Sequence, residues 1–267
     1  MIATVTYLFL FANFVFCAPT INTTNGDVAP CLEEFYKSAF SGKYKCTKDF
    51  NFFSDNTTLQ QGSFKSGKTC FLEIAKEKCS PAQYTLLVTK YDDFLSVLTT
   101  VPQNDPECKS FYYKYNSLRC APIAQEVPQR AMQLAFVETK INDSRLIDVI
   151  TLCREAEKCM NTSCSIPNAA KNGFSFTCDA LEMKNTEFAI CSAKLKKEAP
   201  SLSEYKCLDG MNFYAFMDVN VQADLWTIKK ACVKEIYKDY CGKAAVKDFD
   251  HNAGIMAKSM QMMTQMG

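Results

Sequence analysis

Apolar residues recur at helical spacing along much of this chain. Tyr84, Leu87, Val88, Tyr91, Phe94, Leu95 and Leu98 follow Ser80-Pro81-Ala82-Gln83. Those four residues supply an N-cap, a first-turn proline and the returning Gln of a capping box, so one amphipathic helix is expected to carry the whole stripe. Asp143 or Ser144 can cap a second helix that sets Leu146, Val149, Ile150 and Cys153 on one face. Leu225, Ile228, Cys232 and Ile236 make a third stripe. Strand-like alternation is scarce, and the pattern predicts an all-α protein.

The first stretch differs. Ile2 to Phe16 is apolar, too short to span a bilayer, and ends at Cys17-Ala18-Pro19. It reads as a signal peptide, 1–17. A cut after Cys17 is preferred over one after Ala18, because it leaves Val15 rather than bulky Phe16 three residues before the cut. No later segment has the roughly 20 apolar residues of a membrane span. Extracellular, secreted localisation is the expectation.

Without Cys17, fourteen cysteines remain: Cys31, Cys46, Cys70, Cys79, Cys108, Cys120, Cys153, Cys159, Cys164, Cys178, Cys191, Cys207, Cys232 and Cys241. The even number suits structural disulfides in an oxidising compartment, and no Cys-x2-Cys pair suggests zinc. Sequons at Asn22, Asn56, Asn142 and Asn161 fit the same compartment as N-glycosylation sites in polar, loop-like stretches.

Cys31-x14-Cys46-x23-Cys70-x8-Cys79 recurs as Cys191-x15-Cys207-x24-Cys232-x8-Cys241. Tyr44-Lys45-Cys46 matches Tyr205-Lys206-Cys207, Asn51-Phe52-Phe53 matches Asn212-Phe213-Tyr214, and Phe64 precedes Cys70 by the same interval as Trp226 precedes Cys232. One stapled unit has been used twice. A continuous helix from Cys70 to Cys79 holds its ends about 13 Å apart, beyond the roughly 7 Å reach of a disulfide. Cys70 then cannot bond Cys79. Of the two remaining connectivities the nested one suits antiparallel helices: Cys31 to Cys79 and Cys46 to Cys70, repeated as Cys191 to Cys241 and Cys207 to Cys232.

Composition narrows function. AVILMFWYC make up 48% of the 267 residues and DEKR 22%, which excludes a disordered chain. A net charge of +1 argues against nucleic acid as a partner. The single histidine, His251, leaves little for imidazole chemistry, and no nucleophile stands near it in sequence. The adjacent carboxylates Glu33-Glu34 and Asp92-Asp93 diverge on a helix and read as solvated surface. Met256, Met260, Met262, Met263 and Met266 read as adaptable packing residues or a frayed end rather than a copper(I) site, and no cofactor is expected.

Cys153-x5-Cys159-x4-Cys164-x13-Cys178-x12-Cys191, the Cys191-Ser-Ala-Lys-Leu run and Cys232-Val-Lys-Glu-Ile-Tyr-Lys-Asp-Tyr-Cys241-Gly242-Lys243 resemble the nematode secreted cysteine-rich family catalogued as domain of unknown function nineteen. The resemblance implies an extracellular module with no assigned activity or catalytic residues. The organisation expected is an N-terminal segment 18–30, a partial helical module 31–120, a linker 121–142 interrupted by Pro122 and Pro128, a full module 143–257 and a Met-rich tail 258–267. A secreted, non-enzymatic binding protein is the functional expectation, with an extracellular protein as partner; the alternative is a carrier of a small apolar ligand such as a lipid. Phe50, Phe52, Phe53 and Met211, Phe213, Tyr214, Phe216 are the aromatic-rich patches either to fill cores or to line a binding surface.

Overall fold

A computed structural model describes residues 27–135, 140–215 and 218–266. The proposed signal peptide 1–17, the Asn22 sequon and Phe216 lie outside the described residues, as do residues 18–26 of the N-terminal segment. Among the described residues there are helices and turns and no strand. All fourteen cysteines are in disulfides. The chain forms two compact units, one of 27–127 with 152–174, the other of 128–151 with 175–266.

The first unit holds α1 (Ala29–Phe40), α2 (Thr57–Ser66), α3 (Lys68–Lys78), α4 (Pro81–Thr89), α5 (Tyr91–Thr99) and α6 (Phe111–Leu118). α1 packs on α3 and α6, and α2 on α5. Their inward faces meet in an aromatic core. Phe35 lies 5.0 Å from Phe52 and 4.7 Å from Phe71, both edge-on, while Phe71 stacks on Phe94 at 5.4 Å. Edge-to-face and offset rings add to what burial alone contributes. The Tyr91 hydroxyl donates to the Phe64 carbonyl at 2.6 Å, tying α5 to the end of α2.

Polar groups are buried here too. Gln60 donates to Asn116 Oδ1 at 3.1 Å, Arg119 donates to the same oxygen at 2.9 Å, and Asn116 donates to the Leu98 carbonyl at 2.8 Å. Burial pushes the nearby Tyr36 phenol upward against the pull of the Arg119 charge. Asp27 is buried against Lys114, and its carboxylate accepts the Ala29 N–H at 2.9 Å. Burial first, and then this carboxylate, raises the Tyr115 phenol to about 12.

The second unit repeats the plan with α10 (Glu187–Glu198), α11 (Val219–Trp226) and α12 (Lys230–Cys241), and adds α13 (Phe249–Met266). α11 packs on α12 and α13, and α10 on α12. Phe188, Trp226, Tyr237 and Phe249 form its centre, with Phe188 on Tyr237 at 5.0 Å. Matching positions do matching work. Asn56 Oδ1 caps α2 by accepting from Thr58 and Leu59, and Asp218, at the same distance before its cysteine, caps α11 by accepting from Asn220 and Val221. Gln60 and Gln222 are both buried ten residues before Cys70 and Cys232.

Four expectations are corrected. The stripe from Tyr84 to Leu98 is two helices: the Ser80–Gln83 capping box starts α4, and the chain breaks at Lys90 (φ −124°, ψ 34°). β-branched Val88 and Thr89 weaken the end of α4, and Asp92 and Asp93 favour a new positive helix end at α5. The stripe Leu225 to Ile236 is likewise split at Thr227–Lys229, leaving Ile228 74% exposed. Most of the linker 121–142 is α7 (Ala121–Ala135). Pro122 stands in its first turn, where no N–H is needed, and interior Pro128 is tolerated beside a buried stripe of Ala124, Val127, Ala131 and Leu134. The Met-rich tail continues α13: Met260 is buried, with Met256 and Met263 packed on the second core. The boundary at 257 falls inside a helix because the apolar stripe from Phe249 runs on.

α8 (Ser144–Thr162) and α9 (Asn168–Lys184) complete the chain. Of the two caps offered for α8, Asp143 is the one used: its carboxylate accepts the Arg145 N–H at 3.0 Å, and Ser144 is already helical. Leu146, Val149 and Cys153 are buried as their spacing implies.

Candidate surface cleft and disulfide framework

Four staples are nested. Cys31 bonds Cys79 and Cys46 bonds Cys70 in the first unit; Cys191 bonds Cys241 and Cys207 bonds Cys232 in the second. Cys70 and Cys232 lie within α3 and α12, each near the start of a helix whose other end carries or abuts the outer bond. Two further bonds, Cys108 to Cys164 and Cys120 to Cys159, join the end of the first repeat to the cysteines around the end of α8. Cys153 and Cys178 are also bonded and fully buried.

The segments after Cys46 and Cys207 begin alike and end differently. In the first unit Phe52 is wholly buried, and Phe50 and Phe53 pack partly against the same core. In the second, Phe213 is buried while Met211 and Tyr214 are half-buried walls of a cleft of about 630 Å³. Leu202, Tyr205, Lys206 and Asp209 line its other sides. A 3-10 turn at Lys206–Leu208 leads into left-handed Asp209 (φ 54°) and Gly210 (φ 75°), which turn the chain along the cleft wall.

Tyrosines fix the cleft. Tyr205 donates to Asp239 at 3.0 Å, Tyr214 to the Pro200 carbonyl at 2.8 Å and Tyr240 to the Ser201 carbonyl at 3.3 Å. Burial raises the Tyr205 and Tyr214 phenols, and the Asp239 carboxylate adds to the rise at Tyr205. Both stay neutral donors at physiological pH. The arrangement offers an apolar floor, a cationic Lys206 and an anionic Asp209 on a stapled loop, which suits non-covalent recognition.

Other candidate residues lie apart. His251 is exposed on α13, and the neighbouring Asp250 carboxylate is committed to Lys230 at 3.0 Å and Lys234 at 2.8 Å. Lys37 bridges Glu33 and Glu34, and Asp92 and Asp93 are exposed at the start of α5. Asn56, Asn142 and Asn161 are all exposed. Only Asn142 is in a turn, in left-handed backbone (φ 60°); Asn56 is a helix cap and Asn161 lies in the last turn of α8. The Gln60–Asn116–Arg119 network and the Asp27–Lys114 pair escaped sequence reading, although the equal spacing of Gln60 and Gln222 was available as a signal.

Among the described residues no group of three or more His, Cys, Asp or Glu could hold a metal ion, and no helix is long and apolar enough to cross a membrane. Neither a comparison with curated proteins nor one with solved structures finds a match. A family model does match, over residues 12–109 and again over 108–263. Cys108 falls within both matches, and Cys120, expected in the first module, falls in the second. With nearly the whole length covered by two copies of one disulfide-rich helical module, the chain belongs to the family described as domain of unknown function, DUF19.

Proposed function

We propose that this protein is a secreted, N-glycosylated, non-enzymatic recognition protein that binds an extracellular protein partner through the cleft of its second copy. The observation that carries the reading is the contrast between the two aromatic segments. The first is consumed by its core, whereas Met211 and Tyr214 face an opening held by the Cys207–Cys232 bond and by tyrosine hydrogen bonds. A partner loop presenting an apolar side chain between groups that complement Lys206 and Asp209 fits this surface, as buried anchors inside polar rims do in protein interfaces. Rigid staples reduce the ordering cost of binding. The near-zero net charge supports a protein over a nucleic acid as partner.

The apolar part of the same lining supports the second reading, a small apolar ligand such as a lipid. A carrier encloses most of its ligand, and this cleft opens to solvent. The full glycosylated protein from a secretory host, used as bait against extracellular material, separates the readings. A protein retained by the wild type and lost by Met211→Glu with Lys206→Glu, both variants keeping the wild-type circular dichroism, supports the proposal. A copurifying lipid in native mass spectrometry supports the carrier. A partner held equally by the variants places recognition elsewhere.

A further inference from the structure

The disulfides differ in how they are shielded. In the nested pairs and in Cys120–Cys159 one member is buried: Cys31, Cys70, Cys120, Cys191 or Cys232. Cys153 and Cys178 are both wholly buried. Cys108–Cys164 stands apart, because Cys164 is exposed and Cys108 is only half-buried, so neither member is buried. Cys108 also has left-handed backbone (φ 56°), a conformation that costs a residue with a Cβ. A local turn holds it there. Its N–H donates to the Asp105 carbonyl at 3.1 Å, and the Asp105 carboxylate accepts from the N–H groups of Lys109 and Ser110 at 3.0 and 2.6 Å.

We propose that Cys108–Cys164 is an exchangeable disulfide, a site at which an external thiolate can reduce this protein without opening its cores. Exposed or strained disulfides are the ones that exchange, while buried structural ones resist. The external thiolate attacks Sγ of Cys164, the more exposed residue of the pair. A bond forms between the two, the Cys108–Cys164 bond breaks, and its electron pair leaves on Cys108, which takes a proton from water. A second external thiolate attacks the external sulfur of the mixed disulfide and releases Cys164. The protein gains two electrons and two protons, and the reductant leaves as its own disulfide.

The consequence is local. The turn at 105–110 keeps its own hydrogen bonds, and Cys120–Cys159 continues to hold the start of α7 to α8. What is released is the segment between α8 and α9, retained by the Ser165 hydroxyl on the Tyr113 carbonyl at 3.3 Å.

The test uses the full oxidised protein, exposed in one arm to graded glutathione and in the other to a thioredoxin whose resolving cysteine is Ser, then alkylated with N-ethylmaleimide and peptide-mapped. The expected result is label on Cys108 and Cys164 about ten-fold ahead of any other cysteine, with the trapped thioredoxin on Cys164. Glutathione alone reacting identifies a small-thiol site; the trap forming identifies a protein dithiol as reductant; either supports the exchange. Another pair opening first, all pairs opening together, or the trap sitting on another cysteine overturns it. The double variant Cys108→Ser, Cys164→Ser is expected to lose the early label and keep the wild-type circular dichroism. If that variant does not fold, the wild-type map still decides.

Discussion

The Tyr44 hydroxyl donates to the Glu77 carboxylate at 2.6 Å, the position in the first copy that Tyr205 and Asp239 occupy in the second. Both tyrosines precede the second cysteine of their four-cysteine repeat by two residues, and both acids follow the third by seven. The bond therefore ties the loop before one staple to the helix that carries its partner, twice in one chain.

A pH dependence follows from the first of these bonds. Tyr44, then Lys43 and Lys78, hold the Glu77 carboxyl at about 2, against 4.5 for a free glutamate. Its contribution to stability is whole above pH 4.5 and lost as pH falls toward 2, because the unfolded chain takes up its proton first. Urea titrations at low ionic strength of the wild type and Glu77→Gln are expected to converge over that window and to differ most at neutral pH. A constant gap across the window would rule this coupling out. The group is exposed, so the gap is expected to shrink in high salt.

Gly67 is fixed by contact. A Cβ there would stand 2.6 Å from the Phe52 ring and 2.7 Å from the Ser63 carbonyl. Gly67→Ala is expected to destabilise by about 1–3 kcal/mol, the usual cost of overpacking. Lys229 holds the matching position with nearly the same backbone (φ −96°, ψ 11°, against −89° and 12°) and already accommodates a side chain. Lys229→Ala, which gives up a long contact to Asp209 at 3.9 Å, is expected to stay within about 1 kcal/mol. Denaturant midpoints of the two variants decide, and an unchanged Gly67→Ala would mean that the Phe50–Phe52 loop yields.

The all-helical class was legible because α4, α5, α8 and α12 carry apolar stripes, with capping residues marking the starts of α4 and α8, and the nested staples were legible because helical rise forbids Cys70 from reaching Cys79. The breaks at Lys90 and at Thr227–Lys229 were not, since apolar spacing continues across both while the axis turns. Pro128 looked like an end because the rule for proline is local, whereas the burial of Ala124, Val127 and Ala131 that outweighs it is tertiary. The cleft was half legible. Asn51-Phe52-Phe53 and Asn212-Phe213-Tyr214 are alike as strings, and only the fold puts Phe52 wholly inside and Tyr214 on a wall.

Asp27 and Lys114 make a second kind of prediction. The Asp27 side chain is 2% exposed and the Lys114 side chain 23%. Lys114→Met leaves a carboxylate buried without its cation, which costs about 3–5 kcal/mol. Adding Asp27→Asn removes the charge while its amide oxygen can still accept from Ala29, so the double variant is expected to recover most of the loss. Thermal melts of the three variants at neutral pH test this. A double variant no more stable than Lys114→Met alone would show that the charge was not the cause.

Asn56 carries two roles that a single substitution separates. Its Oδ1 accepts from Thr58 at 3.0 Å and Leu59 at 3.1 Å, and its exposed amide begins the sequon Asn56-Thr57-Thr58. Asn56→Asp keeps a capping oxygen and abolishes the sequon; Asn56→Ala removes both. Loss of the cap is worth about 0.5–2 kcal/mol, so in protein made without glycans Asn56→Ala is expected to fall by that amount and Asn56→Asp to stay near the wild type. Asp218→Ala, where no sequon exists, is expected to match Asn56→Ala in its own unit. In protein from a secretory host, intact mass is expected to show Asn56→Asp lighter by one glycan. Equal stability of the alanine and aspartate variants without glycans would show that α2 does not depend on its cap.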